Sequence, residues 1–302
     1  MNKIKTLLLN IFVFLFIIIL FRYSNIVKIS VTDGVNLWLD KIFPSLFIMF
    51  IINDLIINLD ILDFLNKLIN PIFNKLFNTS GNSSSVFLLS IFSGTPSAAF
   101  IIKEMLNNNK ISINDANKLI SFTFFSNPLF LYNILSLSFN KYIVIKIILI
   151  HYLSNIIIGL IFRNKYENIN IEITNKKSNK NLFLILPNAI SKSLNTLLMI
   201  LGTIVFYIII TNLLIEIISM NNIFEVIFKG ILEITQSLSI LNKINSISVI
   251  KEIIALSIIS FGGLSIHSQV LSIINDTKIK YINFFIGRIL HILIGIVFLL
   301  II

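Results

Sequence analysis

Eight segments of the chain are long and apolar enough to cross a bilayer, and this feature restricts the fold more than any other. About 20 apolar residues in a helix span ~30 Å of hydrocarbon. Only 13% of the 302 residues are charged, against roughly 25% in soluble domains. The sequence therefore predicts an all-α, multi-pass protein of the cell membrane, with the lipid bilayer as its surroundings. The segments are Leu7–Phe21, Val35–Ile57, Val86–Leu106, Leu119–Leu137, Ile143–Phe162, Ala189–Ile215, Ile253–Ile274 and Ile282–Ile302.

The charged residues and the missing cysteines exclude several other classes of function. The net charge is +10, but the Lys and Arg residues lie in short connectors between apolar segments, as the positive-inside rule describes. We therefore expect no nucleic-acid partner. The chain has no cysteine and three scattered histidines, so it offers neither thiol chemistry nor the ligand spacing of a metal site. No cofactor is expected.

Two of the apolar segments are interrupted by small residues near their centres. The interruptions are SGTPS (Ser93–Ser97) and FGGLS (Phe261–Ser265). Each segment is either a kinked crossing, which neighbouring helices can stabilise, or a re-entrant hairpin. Two half-helices of ~10 residues at 1.5 Å per residue reach ~15 Å, about half the bilayer. We favour hairpins, although the distribution of charge fits eight crossings with the N-terminus outside equally well.

The order of the segments predicts two related halves. Gly34–Ile56 aligns with Lys192–Leu214, and each is followed by an amphipathic stretch (Asp60–Phe77, Asn222–Leu241), predicted to lie along the membrane interface, and then by an interrupted segment. Six full crossings plus two hairpins would make the second half inverted relative to the first, a transporter pattern. The predicted regions are residues 1–30 (N-terminal membrane helix), 31–162 (first repeat plus the extra helix Ile143–Phe162), 163–181 (basic cytoplasmic connector) and 182–302 (second repeat). Homo-oligomerisation stays open.

A third interruption adds to the candidate binding site. Ser126, Asn127 and Pro128 stand midway along the segment after the first break. Pro128 has no backbone N–H and disfavours helical geometry at Asn127, so carbonyl groups become free there; an ordinary proline kink is the alternative. Backbone dipoles and short polar side chains at these breaks could bind a polar solute. The candidate substrate-binding residues are Ser93, Gly94, Thr95, Asn127, Gly262, Gly263, Ser265 and Gln269.

At these residues the sequence resembles the YlbJ-type sporulation integral membrane proteins of the nucleoside-recognition (Gate) group. The resemblance rests on Ser-Gly-x-Pro at Ser93–Pro96, Asn-Pro-Leu-Phe at Asn127–Phe130 and Gly-Gly-Leu-Ser-x-His-Ser-Gln at Gly262–Gln269. It implies a membrane protein of endospore-forming bacteria that is needed for the spore cortex. Thr95 and Ser97 stand where the family has Tyr and Gly, so the contacts at this turn are expected to differ.

Three functions compete at this point. The first is a transporter-like permease for a small polar solute. The second is a non-transporting scaffold of the forespore envelope that uses the basic connector as a contact surface. The third, an intramembrane enzyme, would need Ser265 and His267 to act as a nucleophile and base, but their spacing does not set that hydrogen bond. We expect no enzymatic activity.

Overall fold

The computed structural model describes residues 2–59, 61–80, 82–167, 182–218 and 221–302. The described part is all-helical, as predicted, and six of its helical segments are long and apolar enough to cross a membrane. The helices are α1 (Asn2–Arg22), α2 (Ser24–Leu37), α3 (Phe43–Asn58), α4 (Ile61–Phe77), α5 (Ser83–Ser93), α6 (Ser97–Asn107), α7 (Ile113–Phe122), α8 (Pro128–Leu135), α9 (Lys141–Phe162), α10 (Leu182–Ile218), α11 (Asn222–Leu232), α12 (Ile234–Ser239), α13 (Ser248–Phe261), α14 (Gly263–Ile274) and α15 (Tyr281–Ile301). Of the predicted connector 163–181, residues 168–181 lie outside the described residues.

Two long antiparallel elements form one side of the bundle. The first is α2 and α3, joined by a π-helical turn at Trp38–Ile42, where Pro44 lacks the N–H of a regular helix. The second is α10, whose 37 residues extend over ~55 Å. The contacts between the two elements show that they run in opposite directions. Asn212, late in α10, donates from Nδ2 to Ser30 Oγ in α2 at 2.9 Å, whereas Lys192, early in α10, pairs with Asp54, late in α3.

Helices α9 and α15 define the two ends of the bundle. The end where α9 finishes, beside the connector, is called the connector end, and the other is called the far end. The helices are antiparallel, because Tyr166 Oη donates to Asn283 Oδ1 at 3.2 Å and His291 Nε2 lies 2.9 Å from His151 O. At the far end, Lys146 pairs with Glu252 near the start of α13 at 2.6 Å.

The first interrupted segment is a helical hairpin, as we favoured. Helices α5 and α6 both have their outer ends at the connector end, since Asn82 N, just before α5, donates to Lys110 O, just after α6, at 3.0 Å. The tip, Gly94 to Pro96, lies at mid-depth. The pair α5–α6 is called the first hairpin.

The second interrupted segment differs from the expected hairpin. Helix α13 begins at the far end and finishes halfway, where Ser260 Oγ lies 2.7 Å from His291 Nδ1. Helix α14 continues to the connector end, where Lys280 N, before α15, donates to Asn117 Oδ1 at 2.8 Å. The interruption at Gly262 therefore breaks a helix that runs from one end of the bundle to the other, because the residues that follow are bound at the end opposite to its start.

The second hairpin instead lies in the stretch 222–241, for which we had predicted an interfacial helix. Ser237 Oγ in α12 donates to Val226 O in α11 at 2.6 Å, which places the two helices side by side. The chain reverses at Leu232–Ile234. The prediction was wrong because the apolar residues of this stretch pack against α13 and α14 rather than against lipid headgroups. The pair α11–α12 is called the second hairpin.

Candidate functional site

A cavity of about 50 Å³ lies at mid-depth, where both hairpin tips meet both broken helices. This volume holds a few water molecules. The polar side chains in its wall come from both halves of the chain. They are Thr95, Ser126 and Asn127 from the first half, and Glu233, Thr235, Ser265 and Gln269 from the second. Apolar residues of α3 and α10, including Leu46 and Ile200, complete the wall.

Asn127 joins the first hairpin to the break between α7 and α8. Its Oδ1 accepts from Leu129 N at 2.9 Å and Phe130 N at 3.1 Å, so it caps α8. Its Nδ2 donates to Phe92 O at the end of α5 at 2.6 Å. Gly94 contacts the same residue, since a Cβ there would lie 2.7 Å from Asn127 N, and its φ is +71°. Only glycine fits this approach without strain.

The second half repeats this close approach with other residues. Gly263, at φ +70°, lies against the second hairpin, and a Cβ there would be 3.1 Å from Leu232 O. Gly262, at φ +90°, caps α13 in the left-handed conformation. A Cβ on Gly262 would meet the ring of Phe124 at 3.3 Å. In both halves, a glycine lets a hairpin tip pack onto the backbone of a broken helix.

Glu233, at the tip of the second hairpin, is a functional candidate that sequence reasoning missed. It is buried and caps α12, with Gln236 N donating to it at 2.8 Å and Thr235 Oγ1 at 2.9 Å. No Lys or Arg of the described residues forms an ion pair with it. A carboxylate accepts at about four lone-pair sites, so Glu233 keeps acceptor capacity toward the cavity. The signal in the sequence that could have identified Glu233 is an acidic residue that follows Gly230 between apolar residues.

Two other polar groups of the wall have unused hydrogen-bonding capacity. Ser265 Oγ and Gln269 Oε1 are buried and have no hydrogen-bond partner among the described residues. A buried polar atom without a partner costs about 1–3 kcal/mol, and such atoms commonly have a functional explanation. His267 is not a partner for Ser265: its ring nitrogens lie 2.6 Å from Tyr281 Oη and 3.0 Å from Phe261 O.

The structure thus places most of the eight predicted site residues together. Thr95, Asn127, Ser265 and Gln269 line the cavity, and the three glycines, 94, 262 and 263, form the backbone contacts behind it. Ser93 is not part of the wall. Its Oγ donates to Leu89 O at 2.8 Å, a bond within α5.

A buried arginine lies behind the two broken helices. Arg288 is fully buried on α15 and donates to Ser121 O and Phe124 O near the end of α7, at 3.3 and 3.4 Å, and to Ser260 O near the end of α13, at 3.5 Å. Helix C-termini carry unpaired carbonyl groups and partial negative charge. The guanidinium group therefore stabilises both breaks at once.

At the connector end, an exposed ion pair links the first hairpin to the segment after α14. Lys103 Nζ lies 2.7 Å from Asp276 Oδ1. The hydrogen bond from Lys103 holds the pKa of the Asp276 carboxyl below its usual value. The Asp276 carboxyl therefore stays ionised at neutral pH.

Two comparisons with known proteins found sequences similar to this chain. Residues 39–132 match the family model described as Gate, nucleoside recognition. The chain is 28% identical to the sporulation integral membrane protein YlbJ of Bacillus subtilis (strain 168), over 96% of this chain and 81% of that protein. The chain resembles a sporulation membrane protein over nearly its whole length. The resemblance inferred from the sequence and the multi-pass membrane localisation are thereby confirmed. No solved structure matches the chain.

The family match covers the part of the chain that forms the first half of the cavity wall. It begins in the π-helical turn before α3 and ends in α8. Thr95, Ser126 and Asn127 all lie within it. Glu233, Ser265 and Gln269 lie outside the family match. They lie within the alignment with YlbJ, which covers 96% of this chain.

Proposed function

We propose that this chain is a permease that passes a small polar solute across the membrane, with the mid-depth cavity as the binding site. The observation that carries the proposal is the convergence of two hairpin tips and two broken helices on one buried polar cavity. Irregular backbone at membrane depth is tolerated where it lines such a cavity, and transporters bind their substrates between such elements. The unpartnered Ser265 Oγ and Gln269 Oε1 supply groups that a bound solute would satisfy.

The chemistry of the wall restricts the solute. Gln269 Oε1 is an unpartnered acceptor, and Ser265 Oγ can donate or accept, so a solute with N–H or O–H donors fits this wall. Asn127 Oδ1 and Nδ2 are already used in the protein, so Asn127 would contribute through its position rather than through a free group. Nucleosides carry such donors and match the description of the Gate family, and they are the first solutes to test. The cavity would have to widen to hold one.

The order of elements supports an inverted repeat, although with different pairs from those predicted from the sequence. In this repeat α2–α3 corresponds to α10, and the first hairpin corresponds to the second hairpin. Likewise, α7–α8 corresponds to α13–α14, and α9 corresponds to α15. Each element of the second set runs in the direction opposite to its counterpart. In this proposal α9 (Lys141–Phe162) is the counterpart of α15 rather than an extra helix. Alternating access would arise from exchange between the two equivalent arrangements.

The relative supports a proposed role in the cell. We place the chain in endospore formation, where solute movement between compartments would serve the spore cortex. The competing scaffold function makes a different prediction for a Bacillus subtilis strain that lacks YlbJ and carries this chain. If transport is the function, changes in the cavity should abolish heat-resistant spores while the charges of Arg163 and Lys165 are dispensable. A scaffold would give the reverse.

The direct test is flux into proteoliposomes that contain the purified chain. A panel of radiolabelled nucleosides, nucleobases and pentoses should include a solute whose uptake exceeds that of empty liposomes. Ser265→Ala and Gln269→Ala should each lower that uptake about tenfold, as loss of a buried hydrogen bond implies. Ser90→Ala is the matched control, since Ser90 is equally buried but bonds within α5 to Val86 O. Equal uptake by all variants would reject the site.

A further inference from the structure

A second cavity of about 50 Å³ lies between α3, α6 and α10, toward the connector end. It continues the line of the mid-depth cavity along the same three elements. Helix α10 contributes Ile200 and Ile204 to the mid-depth cavity and Thr196, Ser193 and Lys192 to the second one. Helix α3 and the first hairpin show the same progression. The two cavities are therefore neighbours along these elements, and together they are called the groove.

The second cavity contains an unused donor. Asn53 is 6% exposed and lines the cavity, and its Nδ2 has no hydrogen-bond partner among the described residues. Ser97 and Thr196 add hydroxyl groups to the wall. A buried amide without a partner is stable only where water or a polar solute can reach it. This wall is thus suited to a hydrated, polar occupant.

One ammonium group bridges the walls of the groove toward the connector end. Lys192 Nζ lies 2.7 Å from Asp54 Oδ1 and 2.9 Å from Glu104 Oε2. Lys192 is on α10, Asp54 on α3 and Glu104 on the first hairpin, so the three walls are joined at a single point. Half of the Lys192 side chain and about a quarter of the Glu104 side chain are exposed, so the contact with Glu104 is weaker than the contact with the nearly buried Asp54. The contact can therefore open reversibly.

We propose that the second cavity is an aqueous access vestibule that leads small polar solutes from the connector end to the mid-depth site, and that Lys192 is its gate. The inference rests on the proposed function and names the route to the same site. Opening requires Lys192 to release Glu104, which removes the ionic contact between the first hairpin and α10. The solute then meets Asn53 Nδ2 before it passes Phe50, in the wall of the second cavity, and Leu46, in the wall of the mid-depth cavity.

The test uses the absence of cysteine from the chain. Ser97→Cys places one thiol in the vestibule, where its reaction with the small cationic reagent MTSET can be followed by mass spectrometry in nanodiscs. Lys192→Met keeps the length of the side chain and removes the ammonium group. It should raise the reaction rate of the Ser97→Cys thiol at least tenfold. Adding Asn53→Leu, which removes the polar amide at similar volume, should reverse most of that gain.

The control thiol is Ser90→Cys, on the other helix of the same hairpin and in neither cavity wall. Lys192→Met should leave its rate unchanged within twofold. An unchanged rate at Ser97→Cys, or an equal rise at both thiols, would overturn the gate, because the latter indicates general loosening. The readout needs no solute. If the vestibule proves to be gated but no flux can be measured, the proposed function is refuted and the gate is not.

Discussion

Arg288 Nη2 donates to Asn155 Oδ1 at 3.0 Å in the centre of the bundle. Asn155 is the one side chain among its hydrogen-bond acceptors in the described residues, and the others are backbone carbonyl groups at the ends of α7 and α13. The guanidinium also lies 4.5 Å from the centre of the Phe124 ring. The two terminal nitrogens of the planar guanidinium, each with two N–H groups, suit this set of divergent acceptors. Both broken helices thus depend on one side chain from a third helix.

Arg288→Met should lower the free energy of unfolding by about 3–5 kcal/mol, because several buried carbonyl groups lose their donor together. Arg288→Lys should recover part of the loss, since an ammonium group is a cation but cannot reach both helix ends. Chemical unfolding in detergent, followed by circular dichroism, measures both. Arg22→Met, an exposed change at the end of α1, is the control. Equal stability of Arg288→Met and the parent would refute the role.

Ser265→Ala should stabilise the solute-free protein by about 1–3 kcal/mol, because it removes a buried hydroxyl that has no partner. Substitutions in binding sites commonly raise the stability of a protein while they lower its activity. Ser90→Ala should not stabilise, since the Ser90 hydroxyl already bonds to Val86 O at 2.6 Å. Thermal unfolding without added solute compares the two. Destabilisation by Ser265→Ala would mean that this hydroxyl has a structural partner after all.

Gly94→Ala should destabilise the chain by at least 2 kcal/mol. The new Cβ would meet Asn127 N at 2.7 Å, and the backbone at φ +71° and ψ −169° lies in a region almost restricted to glycine, which adds about 1–3 kcal/mol of strain for alanine. Gly202→Ala, in the middle of α10, is the opposite case. A Cβ at Gly202 meets no atom of the described residues within 4 Å, so the helix should gain about 0.5–1 kcal/mol. The difference between the two midpoints in guanidinium chloride tests the tip contact.

Single cysteines should report the directions of the two interrupted segments. Cysteines at Asn108, after the first hairpin, and Asp276, after α14, should react with an impermeant maleimide from one side of a sealed vesicle. Cysteines at Asn140 and Asn245 should react from the other side. All four positions are exposed, and the cysteine-free parent is the blank. Reaction of Asn245 and Asp276 from the same side would restore the hairpin first expected at Gly262.

The sequence predicted where the chain breaks but not which breaks reverse it. Gly94 and Gly262 both carry positive φ, and local chemistry does not distinguish a turn that folds back from one that continues. The first break folds back because Asn82 N bonds to Lys110 O, a contact between residues that no short pattern links. We therefore aligned Ser93–Ser97 with Phe261–Ser265. In the structure, however, the break at Phe261–Ser265 lies in a helix that continues across the bundle, as the break at Asn127 does.

The predicted residues that line the cavity were chosen because they are polar and follow a break in a helix. Thr95, Asn127, Ser265 and Gln269 satisfied that rule. Glu233 did not, because an acid between apolar residues at helical spacing also describes a helix on a membrane surface. Its burial depends on α11 and α12 packing against α13 and α14, and that depends on the fold as a whole.

The bond between Asn82 and Lys110 also limits how the first hairpin can move. Its two outer ends are tied together, so α5 and α6 cannot separate without breaking the tie, and fraying from the base is disfavoured. Displacement of the hairpin as one rigid body, by sliding or tilting against α3 and α10, keeps the tie intact. A disulfide between cysteines placed at positions 82 and 110 should therefore leave turnover intact, whereas one between the hairpin and α10 should arrest it.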